Sequence, residues 1–280
     1  MKRKNTTIVV VKVVLLSIFA LAVLYPLAWM IGSSFKPEAT IFTDLGLIPK
    51  EFTLENYVIG WQSDGRTTFT TYFKNSLIMS ILCVVGNLFS CTLTAYALGR
   101  LEFKGKNIFF GLMMMTMMIP QHVIIVPQYV YFYKLGWIDT LSPMIVPKFL
   151  ATDAFFVYLM MQFIRGLPRE LDEAAIVDGC STYSVFFRII LPLTRPALVT
   201  TTIFTFMWSW NDFFTQLIYL RSAPMYTVTL GLRKFIDPTA KSAYGAMFAM
   251  STLSIVPILV LFVIFQKQLV EGIATSGLKG

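Results

Sequence analysis

Six long apolar stretches alternate with shorter polar segments along this chain of 280 residues. A helix of about 20 apolar residues is long enough to cross a lipid bilayer. The pattern therefore predicts an all-α integral membrane protein with six transmembrane helices. The predicted spans cover approximately residues 8–31, 76–98, 108–129, 143–164, 197–220 and 244–265.

The first apolar stretch is 24 residues long, which is longer than the apolar core of a signal peptide. We therefore interpret it as an uncleaved anchor. The predicted organisation has three parts: an N-terminal anchor helix with an external loop over residues 1–72, a transmembrane domain over 73–274, and a cytoplasmic C-terminal tail over 275–280.

Basic residues indicate the orientation of the chain. They are concentrated in the tip Met1–Lys4 and in the short turn Gly99–Lys106. Short loops rich in lysine and arginine remain on the cytoplasmic side of a membrane. We therefore expect both termini to be cytoplasmic. The predicted external loop from Arg221 to Lys241 is also basic and goes against this rule.

The longest polar interruption in the second half of the chain follows the fourth span. Pro168 suits a first helical position, with acidic residues near the positive end of that helix. Gly179 is expected to end the helix, because glycine adopts a left-handed turn without steric penalty. Ser181 or Thr182 can cap a second short helix, which Pro192 is expected to end.

The same stretch carries a motif. Glu173-Ala174-Ala175 is followed at fixed spacing by Gly179 and by Ile189-Ile190-Leu191-Pro192. The motif resembles the signature loop of permease subunits of binding-protein-dependent ABC importers, in the maltose-permease-like, carbohydrate-uptake branch. The alternative is an ordinary amphipathic helix on the membrane surface. The resemblance covers nearly the full chain and is densest from Tyr72 onward.

The resemblance implies the type I ABC importer permease fold, with this stretch as a cytoplasmic coupling helix in a groove of an ATP-binding subunit. Glu173 would pair with a basic residue of that subunit, the alanines would permit close approach, and Gly179 would turn the chain back toward the membrane. The residues implicated in coupling to the ATPase are Glu173, Ala174, Ala175, Asp178, Gly179, Leu191 and Pro192. A solvated acid near a turn is an equal alternative for Asp178.

The resemblance also implies an assembly in a bacterial plasma (inner) membrane. The expected partners are a second permease subunit, two ATP-binding subunits, an extracytoplasmic solute-binding protein and the lipid membrane. The sequence contains no Gly-x4-Gly-Lys-Ser/Thr phosphate loop. We therefore expect no cofactor in this chain, with ATP and Mg on the partner subunits. The expected function is movement of a sugar or oligosaccharide into the cytoplasm.

Composition excludes several other classes. The chain is 56% hydrophobic and only 14% charged, so its net charge of +8 is better explained by cytoplasmic lysines and arginines than by nucleic acid. Three cysteines form no disulfide framework, and a single histidine excludes a histidine-rich metal site. No nucleophile–histidine pair or paired carboxylates indicate an enzyme.

Several polar residues within the spans are candidates for a substrate pathway. Trp210, Asn211 and Asp212 place an aromatic face beside hydrogen-bonding groups, which suits a sugar. The alternatives are a core or lipid-interface tryptophan and an asparagine that joins helices. His122 can line the pathway or be a satisfied interior residue.

Lys148 and Asp153 are charges within the fourth span, where charges are costly. Asp153 is a candidate for the pathway, although contacts with a neighbouring helix are an alternative. Five residues apart on one helix, the two side chains are expected to point in different directions. An ion-coupled secondary transporter also remains as an alternative function. It requires clustered carboxylates, and only Asp153 and Asp212 approach that pattern.

Overall fold

The computed structural model describes residues 6–63, 65–236 and 242–277, and the regular elements in those ranges are all helical. The basic tip Met1–Lys4, Lys241 and the C-terminal residues Leu278–Gly280 lie outside the described residues. The α-helices are α1 (Thr6–Ser33), α2 (Glu55–Gln62), α3 (Phe69–Arg100), α4 (Lys106–Met118), α5 (Gln121–Lys134), α6 (Ser142–Ile145), α7 (Ala154–Arg165), α8 (Glu170–Val177), α9 (Thr182–Val185), α10 (Leu191–Leu193), α11 (Arg195–Asn211), α12 (Phe214–Tyr219), α13 (Val228–Arg233) and α14 (Tyr244–Gly277).

The described residues include four stretches long and apolar enough to cross a membrane: Ile8–Ser33, Phe69–Arg100, Ser142–Arg165 and Tyr244–Gln268. Two further helix pairs are bent at a short break, and counting each pair as one span raises the number to six. The all-helical membrane architecture therefore agrees with the hydropathy pattern, and the upper count of six equals the predicted number of spans.

Three of the predicted spans are interrupted. The third bends by 103° between α4 and α5. Pro120 explains this break: it has no N–H to donate, and it holds Ile119 in an extended conformation with ψ of 120°. The fourth predicted span is not one helix, because Ala151 adopts a left-handed conformation with φ of 54°. The fifth is broken at Asp212, between α11 and α12.

The chain forms two compact units, and the first contains the residues up to 69 together with 231–256. In this unit the ammonium group of Lys36, which is fully buried, donates a hydrogen bond of 2.6 Å to the carbonyl oxygen of Gly46. Glu38 accepts hydrogen bonds from the first two backbone N–H groups of α14, at 2.9 and 2.7 Å. An acidic side chain at this end is favourable, because a helix N-terminus is partially positive.

The second unit contains residues 70–230 and the chain from 257 onward, and it carries the features described below. One of its apolar clusters joins the end of α3, helix α7 and the polar segment after α7. The buried members of this cluster are Cys91, Ala95, Tyr96, Leu98, Phe156, Val157, Met160, Met161, Ile164, Ala175, Val185, Phe186, Ile190 and Ala197. The polar segment is therefore packed against the helices and is not a free loop.

A second cluster lies in the same unit and joins α3 to helices α5, α6 and α12. Its buried members are Met79, Cys83, Ile125, Phe132, Met144, Tyr219, Leu220 and Leu230. Together the two clusters hold α3 against the interrupted helices along most of its length.

Candidate functional site

The polar segment after α7, residues 166–194, folds as a helix, a turn and a second helix, as the sequence predicts. Gly179 has φ of 81°, a conformation that is strained for residues with a side chain. The N–H of Gly179 donates to the carbonyl of Ile176 at 3.0 Å, and the N–H of Cys180 donates to that of Ala175 at 2.9 Å. These bonds close the C-terminal end of α8. We call residues 166–194 the coupling segment.

Two details at the helix ends differ from the sequence prediction. Pro168 lies outside α8, which begins at Glu170. Pro192 does not end the second helix. It lies in the first turn of α10, where a missing N–H is tolerated, and the helical path continues to Leu193. The chain bends by 73° only at Thr194. Of the two predicted caps, Ser181 is the one used: its hydroxyl oxygen accepts from the N–H of Ser184 at 3.3 Å.

The motif residues divide between the inner and outer faces of the coupling segment. Ala175 is buried in the apolar cluster, and Leu191 is half-buried. The other residues implicated by the motif are exposed: Glu173, Ala174, Asp178, Gly179 and Pro192. Beside them are exposed apolar side chains, of which Val177 (86% exposed) and Tyr183 (78% exposed) are the most open. Exposed apolar groups in a patch often mark an interaction surface.

The coupling segment is attached to the end of α3 by Arg100, whose side chain is only 4% exposed. Its Nη2 donates to the carbonyl oxygen of Leu167 at 2.8 Å. Its Nε lies 3.3 Å from Oδ2 of Asp172, whose side chain is 18% exposed. One guanidinium group thus contacts both the start of the segment and helix α8.

Two further contacts join α3 to the same region. The hydroxyl of Tyr96 donates to the carbonyl of Thr182 at 3.2 Å, and Nη2 of Arg165 donates to the carbonyl of Leu98 at 3.3 Å. The sequence did not indicate any of these contacts, because their partners are 67 or 86 residues apart along the chain.

A cavity of about 1270 Å³ lies in the same unit, and all three interruptions contribute to its wall. Gln121 follows the break at Pro120, Lys148 and Asp153 flank the break at Ala151, and Asp212 lies at the break after α11. Irregular backbone at membrane depth is tolerated where it is buried in protein or lines a polar cavity. The breaks therefore place polar and charged groups on the wall of a cavity within the span region.

Lys148 and Asp153 form an ion pair, with Nζ 2.7 Å from Oδ2. The prediction that these side chains point in different directions was wrong because it assumed an uninterrupted helix. Instead, a 3-10 turn and the left-handed residue Ala151 fold the chain back. Asn87 of α3 donates to the same oxygen of Asp153 at 2.6 Å and to the hydroxyl of Thr205 at 3.1 Å. The charge pair is thus tied to two neighbouring helices, α3 and α11.

The broken segment lies very close to α3. The hydroxyl of Ser90 donates to the carbonyl of Lys148 at 2.6 Å. A Cβ atom on Gly86 would lie 2.8 Å from the ring of Phe149 and 3.0 Å from the backbone of Lys148. The missing side chain of Gly86 therefore allows the broken segment to pack directly against α3.

The two tryptophans at the end of α11 lie on opposite faces. Trp208 is 52% exposed and lines the cavity, as does Asn211. Trp210 is 2% exposed and its ring packs near those of Phe73 and Phe206. Residues two apart on a helix point in different directions, so sequence alone does not tell which tryptophan faces the cavity.

Asp212, the next residue along, has one carboxylate oxygen that accepts from the N–H of Thr215 at 3.1 Å. Its side chain thereby caps the N-terminal end of α12 and also lines the cavity.

His122 is placed differently. It makes an edge contact with Phe214, with 4.9 Å between ring centroids. Among the described residues, the cavity wall does not include it.

The chain resembles known proteins over most of its length. The model of the family described as "Binding-protein-dependent transport system inner membrane component" matches residues 92–275. The arabinooligosaccharides transport system permease protein AraQ of Halalkalibacterium halodurans is 35% identical over 284 residues, with 100% of both chains covered. The trehalose/maltose transport system permease protein MalG of Thermococcus litoralis is 33% identical over 263 residues, with 94% of each covered.

A solved structure supports the fold. One chain from the crystal structure of a bacterial ABC transporter involved in the import of the acidic polysaccharide alginate superimposes with a TM-score of 0.82. It is 23% identical, and the match covers 95% of this chain and 98% of that one. Fold, family match and relatives agree: this chain belongs to the family of inner membrane components of binding-protein-dependent transport systems, the permease subunits of ABC importers.

Proposed function

We propose that this chain is the membrane-spanning subunit of an ATP-driven importer that brings a sugar or oligosaccharide into the cytoplasm. ATP and Mg are bound by two separate ATP-binding subunits, and a second permease chain and an extracytoplasmic solute-binding protein complete the assembly. Relatives similar along their full length are named for transport of arabinooligosaccharides and of trehalose and maltose. These names support a carbohydrate substrate.

The observation that carries the proposal is the outer face of the coupling segment. Glu173 and Ala174 are exposed on a short helix whose opposite side, at Ala175, is buried against the core. This helix offers a carboxylate, a small residue for close approach and a neighbouring apolar patch. A groove with a basic residue in an ATP-binding subunit is complementary to that surface.

The orientation proposed for the chain follows from the same contacts. Arg100 is the last residue of α3 and lies in the basic turn Gly99–Lys106, and its side chain also contacts the coupling segment. The basic turn and the coupling segment therefore lie at the same end of this unit. Because basic turns remain in the cytoplasm, both belong on the side where the ATP-binding subunits are found. Both termini are proposed to be on that side.

The test is to express the complete importer with Glu173→Lys in this chain. A like-charge contact at a partly buried interface can cost several kcal/mol, so we expect loss of the ATP-binding subunits during purification and loss of ATP-dependent uptake. Glu102→Lys is the matched control, because Glu102 is an exposed acid (77% side-chain exposure) at the same end but outside the coupling segment.

Two outcomes would overturn the proposal. One is normal assembly and uptake in the Glu173→Lys variant, since the coupling segment would then not be the docking surface. The other is uptake by this chain without ATP-binding subunits in an imposed ion gradient, which would indicate an ion-coupled secondary transporter.

A further inference from the structure

The cavity wall contains an uneven set of charges. Its lysine and its aspartates are Lys148, Asp153 and Asp212, and no arginine or glutamate lines it among the described residues. Lys148 is paired with Asp153 at 2.7 Å. Asp212 takes part in no ion pair within the described ranges. Among the described residues, the cavity wall therefore has two carboxylates and one cation, and that cation is held by Asp153.

The same cavity wall also carries uncharged hydrogen-bonding groups. The amide side chains of Gln121, Gln128 and Asn211 line the cavity. Tyr219 also lines it, is 1% exposed, and its hydroxyl has no hydrogen-bond partner among the described residues. A buried hydroxyl without a partner is costly, so a ligand hydroxyl that reached it would be favoured.

The wall also offers an aromatic face. Trp208 is half exposed and packs beside Phe155, Phe156 and Phe204, with ring centroids 5.1 to 5.8 Å away. Trp208 and Asn211 are three residues apart on α11 and therefore lie on the same side of the helix. An aromatic ring and an amide one turn apart suit a ligand with both apolar C–H faces and hydroxyl groups.

We propose that this cavity is itself a binding site for an uncharged, polyhydroxylated solute such as a neutral oligosaccharide, and that it disfavours anionic solutes. The proposal deepens the proposed function and rests on it for the direction and energy source of transport. Trp208 would contact the C–H face of a sugar ring. The carboxylate of Asp212 and the amide of Asn211 would bind hydroxyl groups, and the volume of about 1270 Å³ accommodates more than one ring.

Charge is the basis of the selectivity. A site for a carboxylate or phosphate group would present an arginine fork or a free lysine. Here Lys148 is engaged by Asp153. The carboxylate of Asp212 forms no ion pair within the described ranges, so it would repel an anion. In a site of low effective dielectric constant, one unbalanced charge at about 7 Å changes affinity by on the order of tenfold or more.

The test measures binding to the purified complex of both permease chains and the ATP-binding subunits. The solute-binding protein is left out because it has its own solute specificity, which would hide that of the cavity. The neutral probes are maltose, trehalose, arabinobiose and α-1,4-galactobiose. The acidic probe is α-1,4-digalacturonate, which has the galactobiose skeleton with carboxylates at C6. Dissociation constants are obtained by saturation-transfer NMR. We expect at least one neutral probe to bind and digalacturonate to bind at least tenfold more weakly than the best of them.

Three variants assign that selectivity to this cavity. Asp212→Asn removes the charge but keeps the oxygen that accepts from Thr215, so the neutral-to-acidic preference should fall by about tenfold. Asp139→Asn is the matched control: its carboxylate also accepts backbone N–H groups, from Arg221 and Ser222, but it does not line the cavity. The neutral-to-acidic preference of the Asp139→Asn variant should equal that of the unmodified chain. Trp208→Ala should weaken binding of the best neutral probe several-fold, because the aromatic contact surface is lost.

The inference is overturned if no neutral probe binds, if digalacturonate binds as well as the best neutral probe, or if Asp212→Asn and Asp139→Asn have the same preference. ATP-dependent uptake by the complete importer is measured in parallel. If uptake remains ATP-driven but the neutral-to-acidic preference does not change in Asp212→Asn, the cavity is not the selective site and the proposed function still holds. Uptake without the ATP-binding subunits would remove the proposed function, whatever the binding ratios.

Discussion

Replacing Arg100 tests how firmly the coupling segment is held by α3. In Arg100→Met the apolar part of the side chain is largely kept, but both polar contacts are lost. The carbonyl of Leu167 loses its donor at 2.8 Å, which costs about 1–3 kcal/mol for a buried acceptor. Asp172 loses its cation at 3.3 Å.

Breaking a buried ion pair costs about 3–5 kcal/mol, but Asp172 keeps 18% of its side chain in contact with solvent, so its share is smaller. We therefore expect the local unfolding free energy of the coupling segment to fall by about 3 kcal/mol. This corresponds to a roughly hundredfold loss of amide protection.

Hydrogen exchange of the α8 amides in the assembled complex measures this effect. Amides of α14 provide the internal control, because a global loss of structure would affect them too. Arg100→Lys should give an intermediate loss, since one ammonium group does not reproduce the two-pronged contact of a guanidinium. Unchanged α8 protection in Arg100→Met would refute the reasoning. A loss of equal size in α14 would show a general effect instead of a local one.

Further predictions concern single positions. Gly179→Val should reduce uptake through backbone strain at φ 81°, and, unlike Glu173→Lys, charge changes in the partner should not rescue it. Gly86→Val should lower the free energy of unfolding of the detergent-solubilised chain by about 1–3 kcal/mol, because the added side chain overpacks the contact with Phe149, and the unfolding midpoint should fall with it. Gly111→Val, where a Cβ meets no neighbour, is the control. Partial burial raises the pKa of Asp139, but backbone hydrogen bonds from Ser222 and Arg221 outweigh it and hold the pKa below its usual value. Protection of those two amides should therefore persist above about pH 4 and be lost at lower pH, as measured by exchange rates corrected for intrinsic pH dependence. A cysteine in place of Gly105 should react with impermeant reagents only from the cytoplasmic side, and labelling from outside would reverse the proposed orientation.

The uninterrupted spans were predictable because hydropathy alone defines them. α1, α3 and α14 contain the predicted stretches and extend beyond them by a few residues or more. The bend at Pro120 also had a visible cause in the sequence. In the coupling segment, Gly179 and Ser181 indicated the turn and the cap, because each residue type has a specific backbone role.

The breaks at Ala151 and Asp212 left no comparable signal. Neither position is a glycine or a proline, and an alanine in a left-handed conformation is held there by its surroundings. The ion pair between Lys148 and Asp153 was missed for the same reason, since spacing rules for side chains apply only within a continuous helix. Contacts of Arg100 depend on packing between distant parts of the chain, which local patterns do not encode.

Helix α7 has a mechanical consequence. It contains 12 residues and is therefore about 18 Å long. Asp153 precedes its first residue, and the coupling segment begins directly after its last. Much of one side is buried in a closely packed cluster, and such packing opposes bending of the helix. Tilting a rod of this length by about 10° around one end displaces the other by about 3 Å. A tilt of that size about the end nearest the coupling segment would therefore move Asp153 by more than its 2.7 Å separation from Lys148, which is enough to open the charge pair at the cavity.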